Sequence, residues 1–255
     1  MQLKSIVALL GLTASISAFA QFTPNGSTQS PIGATPSGEQ SLQQIADGLF
    51  GAGHVNVATD QSSAGLFRSA SPSVPSLIPT LVAEFTANSA TQRFGIWFGT
   101  NPSNIVTYDL LLGAASGHTD AALSFEGSTL HVGSSVFSNC LTGKVHCGDF
   151  TNALVNPNSF GFYFRPLAFP DNAPTYYTFD SLNPTGSRQD RVLAFQDGAT
   201  TNWMFAYEDG TDFDYNDMAV KVESIAVAVP EPETYALMLA GLGAMGFMAR
   251  RRKSR

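Results

Sequence analysis

Ten residues toward the end of this 255-residue chain concentrate its capacity for chemistry. Glu208-Asp209-Gly210-Thr211-Asp212-Phe213-Asp214-Tyr215-Asn216-Asp217 holds five carboxylates and one amide. Carboxylates this close repel one another unless something positive sits among them. The nearest basic residue in sequence is Lys221, and the next upstream is Arg191. Hard oxygen donors are what Ca²⁺ takes, about six to eight at a time. The candidate ligands are therefore Glu208, Asp209, Asp212, Asp214, Asn216 and Asp217, with Ca²⁺ the expected ion. If the segment bends as a loop, Asp212, Asp214 and Asn216 can converge. If it stays extended, they share one face while Phe213 and Tyr215 share the other. An EF-hand is excluded. Counted from Asp212, oxygen residues fall at loop positions 1, 3 and 5 and Glu223 at 12, but position 6, which needs Gly, is Asp217. The alternative to a metal loop is a solvated acidic turn between two strands.

Paired carboxylates can also act as the acid and base of a hydrolase. The chain has no G-x-S-x-G and no H-E-x-x-H, and His54, His118, His131 and His146 are scattered. No catalytic residue is assigned. A non-enzymatic protein is expected, with a secreted polysaccharide- or peptide-acting hydrolase as the alternative. Cys140 and Cys147, the only cysteines, read as a disulfide closing a short loop in an exported chain. His146 beside Cys147 hints at a metal corner, but two Cys and one His make a poor zinc site.

The elements that must position these groups are strands. Apolar residues make up 44% of the chain and charged ones 13%, with 19 Phe, 23 Gly and 14 Pro. That composition suits many short strands and turns and argues against a helical bundle. It also excludes collagen-like and highly charged disordered chains. The net charge of −7 excludes a basic nucleic-acid binder. Leu42, Ile45, Ala46 and Leu49 recur at helical spacing, so one helix is expected over 41–49, capped by Ser41 and ended by Gly51. Beyond it the period is two: Leu81, Ala83, Phe85 and Ala87; Trp203, Phe205 and Tyr207; Met218, Val220 and Val222. The expected fold is all-β, a sandwich or jelly roll over residues 41–228 behind a flexible leader at 21–40. Phe94-Gly95-Ile96-Trp97-Phe98 and Phe160-Gly161-Phe162-Tyr163-Phe164 echo each other. Each Gly there marks a bulge or a close backbone approach. Trp97, Trp203 and the Tyr176-Tyr177 pair could bind glycan, although alternating aromatics favour the core.

Both ends of the chain read as addresses. Lys4, the uncharged apolar stretch Ile6–Ile16 and the small-x-small site Ala18-Phe19-Ala20 form a signal peptide over 1–20, which implies export by the Sec machinery. At the other end stand Val229-Pro230-Glu231-Pro232-Glu233, an uncharged stretch from Tyr235 to Ala249, and Arg250-Arg251-Arg252-Lys253-Ser254-Arg255. A membrane helix is expected over 235–249, short against the roughly 20 residues of a free-standing span. Gly241-Leu242-Gly243-Ala244-Met245-Gly246 matches G-x-G-x-x-G, but only nine residues follow it, too few for a dinucleotide-binding unit. These glycines read as small residues of a membrane helix.

The three-part tail over 229–255 resembles the PEP-CTERM sorting signal of Gram-negative bacteria that make exopolysaccharide and carry an exosortase. The resemblance implies that the helix is a temporary anchor cut near Pro230–Pro232. It also implies an exported envelope or extracellular-matrix protein with exosortase as a partner and exopolysaccharide as its surroundings. A second resemblance covers residues 155–226. Phe160-Gly161-Phe162-Tyr163, Tyr176-Tyr177-Thr178, Ser181-Leu182-Asn183-Pro184, Arg191-Val192-Leu193-Ala194-Phe195, Glu208-Asp209 and Asp212-Phe213-Asp214-Tyr215-Asn216-Asp217 come in order. The series is similar to a bacterial domain-of-unknown-function family that closes on E-D and D-x-D-[FY]-N-D. It implies a β-domain with a cation site and brings no activity.

Overall fold

Alternation along one strand sets the layering. In Trp203–Tyr207 (β13), Trp203, Phe205 and Tyr207 enter the main buried cluster, while Met204 and Ala206 enter a second cluster on the opposite face. The computed structural model describes residues 28–29, 31–70, 78–84, 92–113, 119–166, 174–183, 191–210, 212–228 and 241–242. The first half contains α1 (Leu42–Phe50), β1 (Gln61–Ser62), β2 (Phe67–Ser69), β3 (Ile78–Glu84), β4 (Arg93–Asn101), β5 (Asn104–Leu112) and β6 (Thr119–Asp120). Then come β7 (Ala122–Glu126), β8 (Thr129–Gly133), α2 (Phe137–Leu141), β9 (Gly148–Thr151), β10 (Gly161–Arg165) and β11 (Tyr176–Tyr177). The body closes with β12 (Val192–Gln196), β13, β14 (Met218–Glu223) and β15 (Ile225–Val227).

Among the described residues the strands form a six-stranded sheet ordered β1-β12-β13-β14-β3-β6 and a four-stranded sheet ordered β11-β10-β4-β5. Two small sheets, β7-β8-β9 and β15-β2, flank them. The two large sheets share one core. Phe94, Ile96 and Phe98 of β4 and Phe162 and Phe164 of β10 join Phe205, Tyr207, Val220 and Val222 in it. Phe67 lies edge-on to Trp203 at 5.1 Å and to Phe205 at 5.2 Å between ring centroids. Such pairs add about 0.5–1.5 kcal/mol each beyond area burial. The fold is all-β, in the manner of a sandwich. Trp97 and Trp203 are fully buried, so they pack the interior and cannot present a glycan platform.

The outer face of the six-stranded sheet is covered by α1. Leu42, Ile45 and Ala46 pack on Leu193 and Phe195 of β12, Met204 and Ala206 of β13 and Ala219 of β14. Ser41 caps the helix: its hydroxyl accepts from Gln44 N at 3.3 Å, and its own N donates to Gln44 Oε1 at 2.9 Å. Gly51, at φ +97°, ends it. The helix thus runs 42–50, one residue beyond the stretch expected from sequence. A second short helix, α2, was not foreseen. It lies beside the Cys140–Cys147 disulfide and has no long apolar repeat to announce it.

The echoed segments are antiparallel neighbours, with Gly95 opposite Tyr163 and Gly161 opposite Trp97. A Cβ on Gly95 would meet Tyr163 Cζ at 2.2 Å, and one on Gly161 would meet Trp97 Nε1 at 2.4 Å. Each glycine leaves room for the aromatic ring of the facing strand.

The described residues do not include the signal peptide with Ala18 and Ala20. They also omit Val229, Pro230, Glu231, Pro232, Arg250, Arg251 and Arg252, and all but 241–242 of the helix expected over 235–249. Phe85 and Ala87 likewise lie outside them. No described helix is long and apolar enough to cross a membrane.

Candidate metal centre

The acidic residues form the connection of the β13–β14 hairpin, whose last register pair is Tyr207 with Met218. Phe213 and Tyr215 sit at φ +58° and +59°, a left-handed conformation that costs a side-chain-bearing residue about 1–2 kcal/mol. Burial offsets that cost, since both rings enter the cluster beneath α1. The alternating kinks give the loop an apolar side, filled by the rings, and a polar side.

On the polar side, Glu208, Asp212 and Asp214 each place one oxygen within 4.8 Å of the others. Glu208 and Asp214 are buried, and Asp212 is exposed. Glu208 Oε1 accepts from Gly210 N at 2.7 Å, and Oε2 accepts from Tyr215 N at 3.3 Å. Asp214 Oδ1 accepts from Asn216 N at 3.4 Å. Its other oxygen, Oδ2, is buried and meets no donor among the described residues.

The remaining candidates serve the loop itself. Asp217 Oδ2 accepts from Asp209 N at 2.6 Å, and Asp209 Oδ2 accepts from Gln92 Nε2 at 2.8 Å. Asn216 Nδ2 donates to Glu39 Oε2 at 3.1 Å and to Gln40 O at 3.0 Å. The structure therefore brings Glu208, Asp212 and Asp214 together and turns Asp209, Asn216 and Asp217 to the framework around them.

Among the described residues, one cation attends the cluster. Arg191, just before β12, holds Nη1 at 3.8 Å from Glu208 Oε1 and donates to Gly210 O. Its guanidinium lies over the Phe213 ring at 4.8 Å from the centroid. Lys221, nearer in sequence, pairs instead with Glu223 at 2.6 Å.

A single arginine leaves several carboxylates unbalanced. Burial, with Asp212 and Asp214 nearby, raises the Glu208 carboxyl to about 7. Burial, with Asp212 and Glu39 nearby, raises Asp214 to about 6. Burial, with Asp209, Glu208 and Asp212 nearby, raises Asp217 to about 8. Ionised carboxylates under this strain gain from any cation that enters.

A strap from the N-terminal side crosses the loop, which sequence reasoning missed. Gly33 N donates to Phe213 O at 2.6 Å, and a Cβ on Gly33 would lie 1.8 Å from Asp212 O. Ile32 packs beside the cluster that holds Phe213 and Tyr215. Thus part of the segment expected to be a leader, positions 31–40, lies against the acidic loop. One signal was present in sequence: Glu39 is the first charged residue after Lys4.

The sheets end where the tail begins. Ala228 N donates to Leu66 O at 3.0 Å, and the family model for the PEP-CTERM protein-sorting motif matches residues 228–253. The chain carries a PEP-CTERM sorting motif. That motif marks an exported, envelope-associated protein and implies processing by exosortase. No curated protein and no solved structure gives a significant match.

Proposed function

We propose that this PEP-CTERM protein is a non-enzymatic component of the envelope or extracellular matrix, stabilised by Ca²⁺ in its β13–β14 loop and held near exopolysaccharide after its tail is cut. Asp214 Oδ2 carries the metal reading: a buried carboxylate oxygen without a donor among the described residues, in a group whose oxygens lie within 4.8 Å of each other. Opposite oxygens of one Ca²⁺ shell, at about 2.3–2.6 Å from the ion, stand roughly 5 Å apart, so three carboxylates fit one shell. Glu208, Asp212 and Asp214 would hold the ion, and the exposed side at Asp212 leaves room for water ligands. The ion would supply the positive charge that Arg191 alone does not. The polymer association rests on the sorting route and not on a contact in the fold.

Thermal unfolding of the exported protein tests this. Ca²⁺ at about a hundredfold excess over its dissociation constant adds about 2.7 kcal/mol. That is a rise of several degrees in melting temperature, reversed by EDTA and absent in Asp214→Asn. An unchanged melting temperature overturns the metal reading. Hydrolysis of a polysaccharide panel that survives EDTA, but not substitution of Glu208 or Asp217, replaces the structural reading with the hydrolase.

A further inference from the structure

The strap over the acidic loop is tied at both ends. At one end Gln29 and Gln61 of β1 exchange bonds: Gln29 N donates to Gln61 Oε1 at 2.6 Å, and Gln61 Nε2 donates to Gln29 O at 2.8 Å. At the other end Ser41 caps α1. Between these ties Ala34, Pro36, Ser37 and Gly38 are exposed. A segment with so little buried surface opens locally at a low cost in free energy.

Two contacts from the strap bracket Asp214. On one side Gly33 N donates to Phe213 O at 2.6 Å, with the Gly33 backbone tight against Asp212 O. On the other side Asn216 Nδ2 donates to Glu39 Oε2 at 3.1 Å and to Gln40 O at 3.0 Å. The backbone N of the same Asn216 donates to Asp214 Oδ1 at 3.4 Å. One buried asparagine thus holds a carboxylate of the strap and a carboxylate of the loop. Burial, Asp212 and Glu39 all oppose ionisation of Asp214, so the strap carboxylate is close enough for its charge to be felt. Glu39 is not one of the three carboxylates that converge. Docking of the strap therefore brings one more negative charge to a site that already holds too many, and Arg191 is engaged on the far member, Glu208.

We infer that docking of the strap and binding of the ion are coupled through Glu39. A cation held by Glu208, Asp212 and Asp214 cancels the repulsion that Glu39 meets there, and the docked Glu39 in turn adds attraction for the cation. This rests on the metal reading above and assigns the ion a second task, latching the first segment of the folded body. Coupling between two sites is reciprocal, so one factor governs both effects.

Hydrogen exchange at the Gly33 amide of the exported protein tests this, followed by NMR in EDTA, in Ca²⁺ and in Na⁺ at matched ionic strength, with calorimetry for the Ca²⁺ dissociation constant. Ca²⁺ slows Gly33 exchange about fivefold or more, the lower end of ordinary coupling, and Na⁺ does not. The Ala228 amide, bonded to Leu66 O in a different cluster, is unaffected. Glu39→Gln keeps an acceptor for Asn216 and loses the charge. In that variant Gly33 exchanges more slowly in EDTA than in the unaltered protein, Ca²⁺ slows it by less than about twofold, and Ca²⁺ affinity falls by about the factor lost from the exchange. If Ca²⁺ binds and raises the melting temperature but leaves Gly33 exchange unchanged, or slows it equally in Glu39→Gln, the coupling is overturned and the metal site stands. An equal effect of Na⁺ is screening and also overturns the coupling. If Ca²⁺ neither binds nor shifts the melting temperature, the metal reading falls and the coupling falls with it.

Discussion

Asp214 is 1% exposed, and its environment opposes the ionised form by burial and by two facing carboxylates. Glu208 and Asp217 share the predicament. Each of the three keeps its proton to a higher pH in the folded chain than in the unfolded one. The folded state therefore holds more protons between about pH 4 and pH 8. What these groups contribute to the stability of the chelated protein is fully present below pH 4 and is lost as pH rises toward 8. In EDTA the protein melts at a higher temperature at pH 5 than at pH 8. Ca²⁺ needs the ionised carboxylates, so its stabilising effect grows across the same window and opposes the decline. Asp214→Asn removes one buried charge. It raises the stability of the chelated protein at pH 8 by about 1–3 kcal/mol and flattens its pH profile. Melting curves at several pH values, with and without Ca²⁺, read both effects, and a chelated protein that gains stability from pH 5 to 8 contradicts this account.

At the scale of elements, the loop is a hairpin connection lidded by the strap at 31–40. The strands were legible because their period is two and their faces are sorted by it, as in β13. The helix was legible because Leu42, Ile45, Ala46 and Leu49 keep helical spacing between a capping Ser41 and a terminating Gly51. The acidic loop was visible as composition, but its sorting into three converging carboxylates and three framework residues was not. That sorting depends on left-handed turns at Phe213 and Tyr215, residues that do not usually signal them. The strap was hidden because Glu39 and Asn216 meet across 177 positions, and no local pattern encodes such a contact. Arg191 was visible only as a distant upstream base, because the sheet register that brings it to Glu208 is a tertiary fact. The strap makes its own prediction. In Gly33→Ala the new methyl cannot share space with Asp212 O, so residues 31–40 must lift. Overpacking of this kind costs about 1–3 kcal/mol. Hydrogen exchange should accelerate at 31–40 and at 208–217, while β4 and β10 keep their protection. Unchanged exchange over the strap would mean that it does not hold the loop.

The whole molecule divides at Ala228. That residue bonds its backbone to the body, through Leu66 O, and packs with the small cluster around Trp97, Tyr163 and Phe179. The sorting motif starts at the same position. The last described strand, β15, thus ends one residue before the sorting motif starts. A chain ending at Ala228 is expected to melt within about 2 °C of the chain that retains the tail, since a surface change is worth about 0.5 kcal/mol or less. A chain ending at Ser224 is a different matter. It loses β15, which pairs Ile225 with Ser69, Ala226 with Arg68 and Val227 with Phe67. Phe67 is the ring that Trp203 and Phe205 meet edge-on, and Ile225 lies in the same core. Removing a buried isoleucine alone costs about 2–5 kcal/mol, so this shorter chain should melt many degrees lower or fail to fold. Differential scanning of the two truncations decides it. Equal losses in both would show that residues beyond Ala228 belong to the folded body, and processing near Pro230–Pro232 could then not leave the sandwich intact.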